Sequence, residues 1–160
     1  MMERAAKQLG KSGWTLRSGG AAGADSAFQR GCDLSHGNKE IFIPWNGFNN
    51  NNMSADGIIL APSLPTYADA VSLMKRYHPA PNRLSQGAEK LQSRNGYQLF
   101  GRNLVVEDKS TFVLCYTTGG RGSGGTGQAI RIANDYGIKV YDLGLEENVN
   151  KIKDWLGKLS

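Results

Sequence analysis

The sequence predicts a single-domain α/β protein built as three layers, α/β/α, around a mostly parallel sheet. Short apolar runs with strand character alternate with amphipathic helical stretches, the pattern of βαβ crossovers. Two of those runs end directly in glycine-rich turns that open helices, as strands of an open parallel sheet do at a ligand site. The length of 160 residues suits one hydrophobic core and is short for two.

Taken in order, Glu3 to Leu9 has the period of a short helix ending near Gly10 or Gly13, and Trp14 to Ser18 reads as a strand. A glycine turn follows, and from Asp25 the residues Ala27, Phe28 and Cys32 have partial helical spacing. Lys39 to Pro44 (KEIFIP) is a second strand, stopped by a proline that cannot donate to a ladder. The polar stretch WNGFNNNNMSADG then reads as a loop, and GIILAP as a short strand or an extended segment. In TYADAVSLMKRYHP, Ala68, Val71, Leu73, Met74 and Tyr77 form most of an apolar helical face, which Pro79 terminates. One further helix is expected through SQGAEKLQSRNGYQLFG. Ser110 to Tyr116 (STFVLCY) is almost continuously apolar, the signature of a parallel strand covered on both faces. GQAIRIANDYG is helical to Gly137, IKVYDLG is another covered strand, and EENVNKIKDWLGKL closes the chain as an amphipathic helix. No internal repeat or linker interrupts this alternation.

Composition excludes several classes. A hydrophobic fraction of 39% and a charged fraction of 21% are those of ordinary soluble proteins. No apolar run approaches the roughly 18 to 20 residues that span a bilayer, and MMERAAKQLGKSGW lacks the apolar core of a secretory signal. Two cysteines far apart, Cys32 and Cys115, do not make a disulfide scaffold, so a reducing cytoplasm is the expected setting. His36 and His78 lack the short spacing to other ligands that marks a metal site. No metal, no cofactor and no membrane partner is expected, and no nucleophile–base–acid order assigns catalytic residues. The net charge of +5 favours anionic partners.

The chemistry concentrates in the two glycine turns. Arg17-Ser18-Gly19-Gly20 leads through Gly23 to Asp25 after the first strand, and Gly124-Gly125-Thr126-Gly127-Gln128 follows the apolar strand at Ser110 to Tyr116. Bare backbone lets a phosphate approach main-chain amides, and the helix that follows favours negative charge. The competing reading is that these glycines serve positive φ and tight helix-sheet packing. Ser18, Ser123 and Thr126 add hydroxyls; Asp25 is either a helix cap or an acceptor for ligand hydroxyls. Arg17 and Arg121 flank the turns as phosphate contacts or as solvated charges. Trp45 and Asn46, with Phe48 and Asn49, are either a lid that stacks on and reads a base or a packed loop.

Together the segments TLRSGGAAGADSAFQRG, IPWNGFN, YHP, LSQGAEKL, RN and GGTGQAIRIA, spread over most of residues 13 to 143, resemble the SLOG superfamily. This Rossmann-like group joins the DNA-processing protein A of bacterial transformation with the LOG-type phosphoribohydrolases. The likeness is strongest to small phage-encoded, DNA-processing-A-like members. It implies a Rossmann-like nucleotide-binding domain, a dimer, and, for a phage-encoded protein, the host cytoplasm. It also implies that Arg94, with Asn95, lies near a nucleotide phosphate. Relatives usually begin with a strand and a Gly-x-Gly-Ser-Arg-type loop, whereas this sequence starts inside the following helix. LOG-type enzymes carry Glu where Arg131 stands here, which removes a carboxylate that helps positive charge build on the sugar. The expected function is therefore binding of a nucleotide or nucleotide-derived small molecule, to sense or sequester it. Single-stranded DNA binding is the first alternative. Cleavage of an N-glycosidic bond, with Asp25 or Glu89 in place of the missing acid, is the second.

Overall fold

The computed structural model describes residues 1–159. Its helices are α1 (Met2–Lys11), α2 (Ala24–Leu34), α3 (Tyr67–Tyr77), α4 (Gln86–Ser93), α5 (Asn95–Phe100), α6 (Gly124–Asp135) and α7 (Glu146–Gly157). Its strands are β1 (Thr15–Ser18), β2 (Asn38–Ile43), β3 (Ile58–Leu60), β4 (Phe112–Cys115) and β5 (Lys139–Asp142). This is a mixed α/β fold with short parallel sheets, consistent with a Rossmann-like α/β/α arrangement.

All pairings are parallel. β1 lies beside β2 with Arg17 opposite Glu40, β2 beside β3 with Phe42 opposite Ile59, and β4 beside β5 with Leu114 opposite Tyr141. The alternation of β2 sorts its side chains. Phe42 enters one cluster with Ala61, Ala70 and Tyr97, while Ile41 and Ile43 pack with Ile58 in another. Phe42 and Tyr97 stack at 5.3 Å, joining the sheet to α5. A third cluster of Leu73, Leu99, Phe100, Ile132, Ala133 and Ile138 joins α3, α5 and α6 under β4 and β5. α1 and α2 pack on each other and against β1.

Local chemistry explains the boundaries. α3 carries Asp69 in its first turn and Lys75 and Arg76 in its last, matching the helix dipole at both ends. It stops at His78, whose extended ψ of 134° is what the following proline demands. Ser85 caps α4, its hydroxyl accepting the Ala88 N–H at 3.2 Å.

Two expectations are corrected. The single helix foreseen between Ser85 and Gly101 divides at Arg94 into α4 and α5. The Arg94 guanidinium donates to the Leu91 carbonyl, the acceptor that Asn95 would use in an unbroken helix. The strands read as covered on both faces are also only partly so: Phe112, Val113 and Leu114 of β4 and Val140 and Tyr141 of β5 are half-buried. The sheet is in two pieces, β1-β2-β3 and β4-β5, with no ladder between β1 and β4.

Candidate functional site

β1 delivers Ser18, 3% exposed, to the first glycine turn. The Gly20 N–H donates to Ser18 Oγ at 3.5 Å and the Ala21 N–H to Asp25 Oδ2 at 3.1 Å. Asp25 therefore closes its own turn. The loop after β2 is stitched onto the same turn by amide side chains. Asn49 Nδ2 and Asn51 Nδ2 both donate to the Gly20 carbonyl, at 3.0 and 3.2 Å, and Gln29 Nε2 holds Asn51 Oδ1 at 3.0 Å.

Arg94, 7% exposed, sits over this turn. Its Nε donates to the Gly19 carbonyl at 3.1 Å and its Nη1 to Leu91 O. The guanidinium carbon lies 5.4 Å above the Phe48 ring, a cation–π contact. Burial pushes the guanidinium below its ordinary pKa, and the Asp25 carboxylate acts in the opposite direction. Among the described residues no carboxylate forms a salt bridge with Arg94 and no acceptor takes its Nη2. Gly19 is bare because this side chain needs the space: a Cβ there would lie 2.8 Å from both Arg94 Nε and Gln98 Nε2.

The neighbouring residue reaches the second turn. Asn95 Nδ2 donates to the Gly125 carbonyl at 3.1 Å, so one dipeptide at the α4–α5 junction touches both glycine turns. The second turn is anchored from behind by Asp142 at the end of β5. Its Oδ1 accepts the N–H groups of Thr117 and Gly144, each at 2.9 Å, and its Oδ2 accepts the Thr117 hydroxyl. Thr117 Oγ1 in turn accepts the Gly122 N–H at 3.0 Å. Burial alone would raise the pKa of Asp142, yet these hydrogen bonds hold it below the ordinary value. Gly127 serves close approach, since a Cβ there would stand 1.9 Å from the Gly122 carbonyl oxygen.

Both helix entrances retain free donors. Among the described residues, the N–H groups of Ala24, Asp25 and Ser26 in α2 and of Gly124, Gly125 and Thr126 in α6 have no acceptor. Both entrances also line one cavity of about 670 Å³, through Ala24 and Asp25 on one side and Gly125 and Thr126 on the other. An anion held there would meet two sets of amides, two helix dipoles and a buried cation.

The residues singled out from sequence divide accordingly. Arg17, Ser18, Asp25, Arg94, Asn95, Gly125 and Thr126 line the cavity. Gly19, Gly20, Gly23, Gly124 and Gly127 shape the turns beside it. Arg17 is engaged elsewhere by Glu40 at 3.1 Å and Asp108 at 3.0 Å. Trp45, 41% exposed, meets Phe48 edge-on at 5.3 Å, and Asn46 Oδ1 accepts the Met53 N–H. Neither Trp45 nor Asn46 is part of the cavity wall. Gln128 points into the core, its Nε2 donating to the Met74 carbonyl at 3.3 Å. Arg131 donates to the Tyr77 carbonyl at the end of α3.

Sequence reasoning missed Gln98, Asn51, Thr117 and Asp142. The run of asparagines was the available signal for Asn51, because side-chain amides readily bind loop carbonyls. Cys115 also lines the cavity. Burial pushes its thiol up to about 12, with Asp142 adding to the effect, so at neutral pH it is not a thiolate nucleophile. Among the described residues, no three or more His, Cys, Asp or Glu side chains gather to hold a metal ion, and no helix is long and apolar enough to cross a membrane. Comparison with protein-family models, with curated proteins and with solved structures finds no match to this chain.

Proposed function

We propose that the protein binds a nucleotide or nucleotide-derived small molecule, and that it senses or sequesters that molecule without obligatory turnover. The observation that carries this reading is Arg94. A guanidinium 7% exposed, hydrogen-bonded to backbone carbonyls and lacking a carboxylate partner, is a costly thing for a fold to keep unless an anion completes its shell. The free amides of α2 and α6 on the same cavity supply the remaining donors for a phosphate. The resemblance of RSGGAAGADSAFQRG and GGTGQAIRIA to the SLOG glycine motifs supports the same ligand class, as does the positive net charge. Arg131, in the place of the LOG-type glutamate, bonds the end of α3, and this favours binding over glycosidic cleavage.

The test is isothermal titration calorimetry against nucleoside mono- and diphosphates, ADP-ribose derivatives and cyclic dinucleotides. At least one should bind, and Arg94→Met should weaken it roughly a hundredfold. Silence across the panel overturns the reading. Binding of oligonucleotides instead, falling steeply with salt, replaces it with single-stranded DNA binding.

A further inference from the structure

The anion site at the two glycine turns carries little net charge. We infer that its guest is a phosphodiester, with one negative charge, and not a phosphate monoester or a polyphosphate. The inference rests on the nucleotide reading. It narrows the ligand to nucleotides whose phosphate bears two ester bonds, either a ring closed within one nucleotide or a bridge between two.

The charges of the cavity wall nearly balance. Arg94, 7% exposed and with Nη2 free of any acceptor among the described residues, brings one positive charge to the turns. The α2 and α6 entrances each add the partial charge of a helix N-terminus, about half a unit. Asp25 subtracts one. It stands in the first turn of α2, lines the same cavity and acts on the Arg94 guanidinium through its charge. The first turn of α6 holds no acidic residue. The remaining ionic residues of the wall, Arg17, Glu40, Asp108 and Lys109, cancel in sign; Arg17 is paired with both carboxylates, and Lys109 donates to the Tyr136 carbonyl. An excess of about one positive charge is left. Asp142, held ionised behind the second turn by its hydrogen bonds, trims that excess. Arg121 and Arg131 are exposed and lie outside the wall, where water and salt screen them.

That balance selects the guest. Taking an anion out of water costs free energy that grows as the square of its charge, whereas the attraction it then meets grows only in proportion. A diester is matched by the excess. A monoester, with about 1.5 to 2 negative charges at pH 7, is not, and each further phosphate widens the gap. The other donors at the turns are neutral. Gln92 Nε2 lies 2.9 Å from where a Cβ of Gly125 would stand, and Gln98 Nε2 lies 2.8 Å from that of Gly19. Each turn is thus overlaid by a side-chain amide that lines the cavity, where recognition of a doubly charged phosphate calls for Lys or Arg. One buried cation also suits one phosphate, since a nucleic-acid strand needs a row of them.

Calorimetry with matched pairs tests the inference on the intact protein at neutral pH. Each of the common nucleoside 5′-monophosphates is compared with its phosphate O-methyl ester, which keeps base and sugar and removes one charge. Cyclic 3′,5′-mononucleotides and dinucleoside monophosphates then separate ring from bridge. At least one methyl ester should bind about tenfold more tightly than its parent, or the ring or bridge should bind where the monoesters do not. Asp25→Asn keeps an oxygen acceptor for the Ala21 N–H and raises the site by one charge; Gln92→Lys does so at the α6 entrance. Each should move the affinity ratio about tenfold toward the monoester, and the second variant decides if the first fails to fold. Equal affinities in the wild type, or a preference for the monoester, overturn the inference and leave the nucleotide reading standing. Ratios unchanged in both folded variants overturn it as well, because charge would not be the selector. Silence of every monoester and diester removes the nucleotide reading and this inference with it. Affinity that climbs with each phosphate added to an oligonucleotide overturns it in favour of a strand.

Discussion

Asp142→Asn isolates the anchor of the second glycine turn. In the native protein Oδ1 takes two backbone N–H groups at 2.9 Å and Oδ2 takes the Thr117 hydroxyl, in a residue 6% exposed. Asparagine keeps the carbonyl for the two amides but sets an NH₂ against a hydroxyl donor. Thr117 must then turn its hydroxyl away, and at 4% exposure that proton has no water to meet. The loss is one hydrogen bond to a charged acceptor plus a stranded donor, about 2 kcal/mol. In urea unfolding at pH 7 the midpoint should fall by roughly 1 M. The difference from wild type must also depend on pH. The folded pKa of Asp142 lies below its ordinary value, so its contribution is complete above the unfolded value and declines as pH falls through the folded one. Wild type and variant should converge in strong acid. A cost within about 0.5 kcal/mol at pH 7, or a gap that persists unchanged to pH 2, would refute the reasoning.

Other perturbations test separate parts of the site. Gly127→Ala drives a methyl group into the Gly122 carbonyl at 1.9 Å and should cost about 2 kcal/mol or more, read as a lowered thermal midpoint. Gly19→Ala meets side-chain nitrogens at 2.8 Å; it should displace Arg94 and weaken anion binding in calorimetry by about tenfold, with a smaller stability loss. Arg17→Met leaves Asp108 without its cation and Glu40 with Arg102 alone, at 3.8 Å, and should destabilise by about 1 kcal/mol, because the Asp108 side chain is 56% exposed and screened. It should leave nucleotide affinity unchanged in the calorimeter. Cys115, with its thiol pushed up to about 12, should react with a thiol reagent at pH 8 far more slowly in the folded protein than in urea.

The fold was legible wherever local chemistry carried it. Strand-to-glycine-to-helix junctions at Ser18 and Thr117 are written in consecutive residues, and so is the proline stop after α3. What escaped depends on residues distant in the chain. Asp142 reaches Thr117 across 25 positions and Asn51 reaches Gly20 across 31, and nothing in either segment alone announces the partner. The division at Arg94 escaped because the local pattern is helical on both sides of it; a guanidinium bonding Leu91 and Gly19 breaks the run. The split sheet was hidden for a similar reason. The apolar run of β4 records the covering a strand calls for and says nothing of which neighbour provides it.

The placement of Arg94 and Asn95 side by side has a mechanical corollary. One residue grips Gly19 and the next grips Gly125, so the junction behaves as a crossbar between two hinges. A guest that draws the guanidinium toward itself must also tug the far turn, and loosening either grip slackens both. A single peptide bond therefore couples the two glycine turns, in addition to the direct contacts of Trp14 with Phe112 and of Arg17 with Asp108 and Ser110.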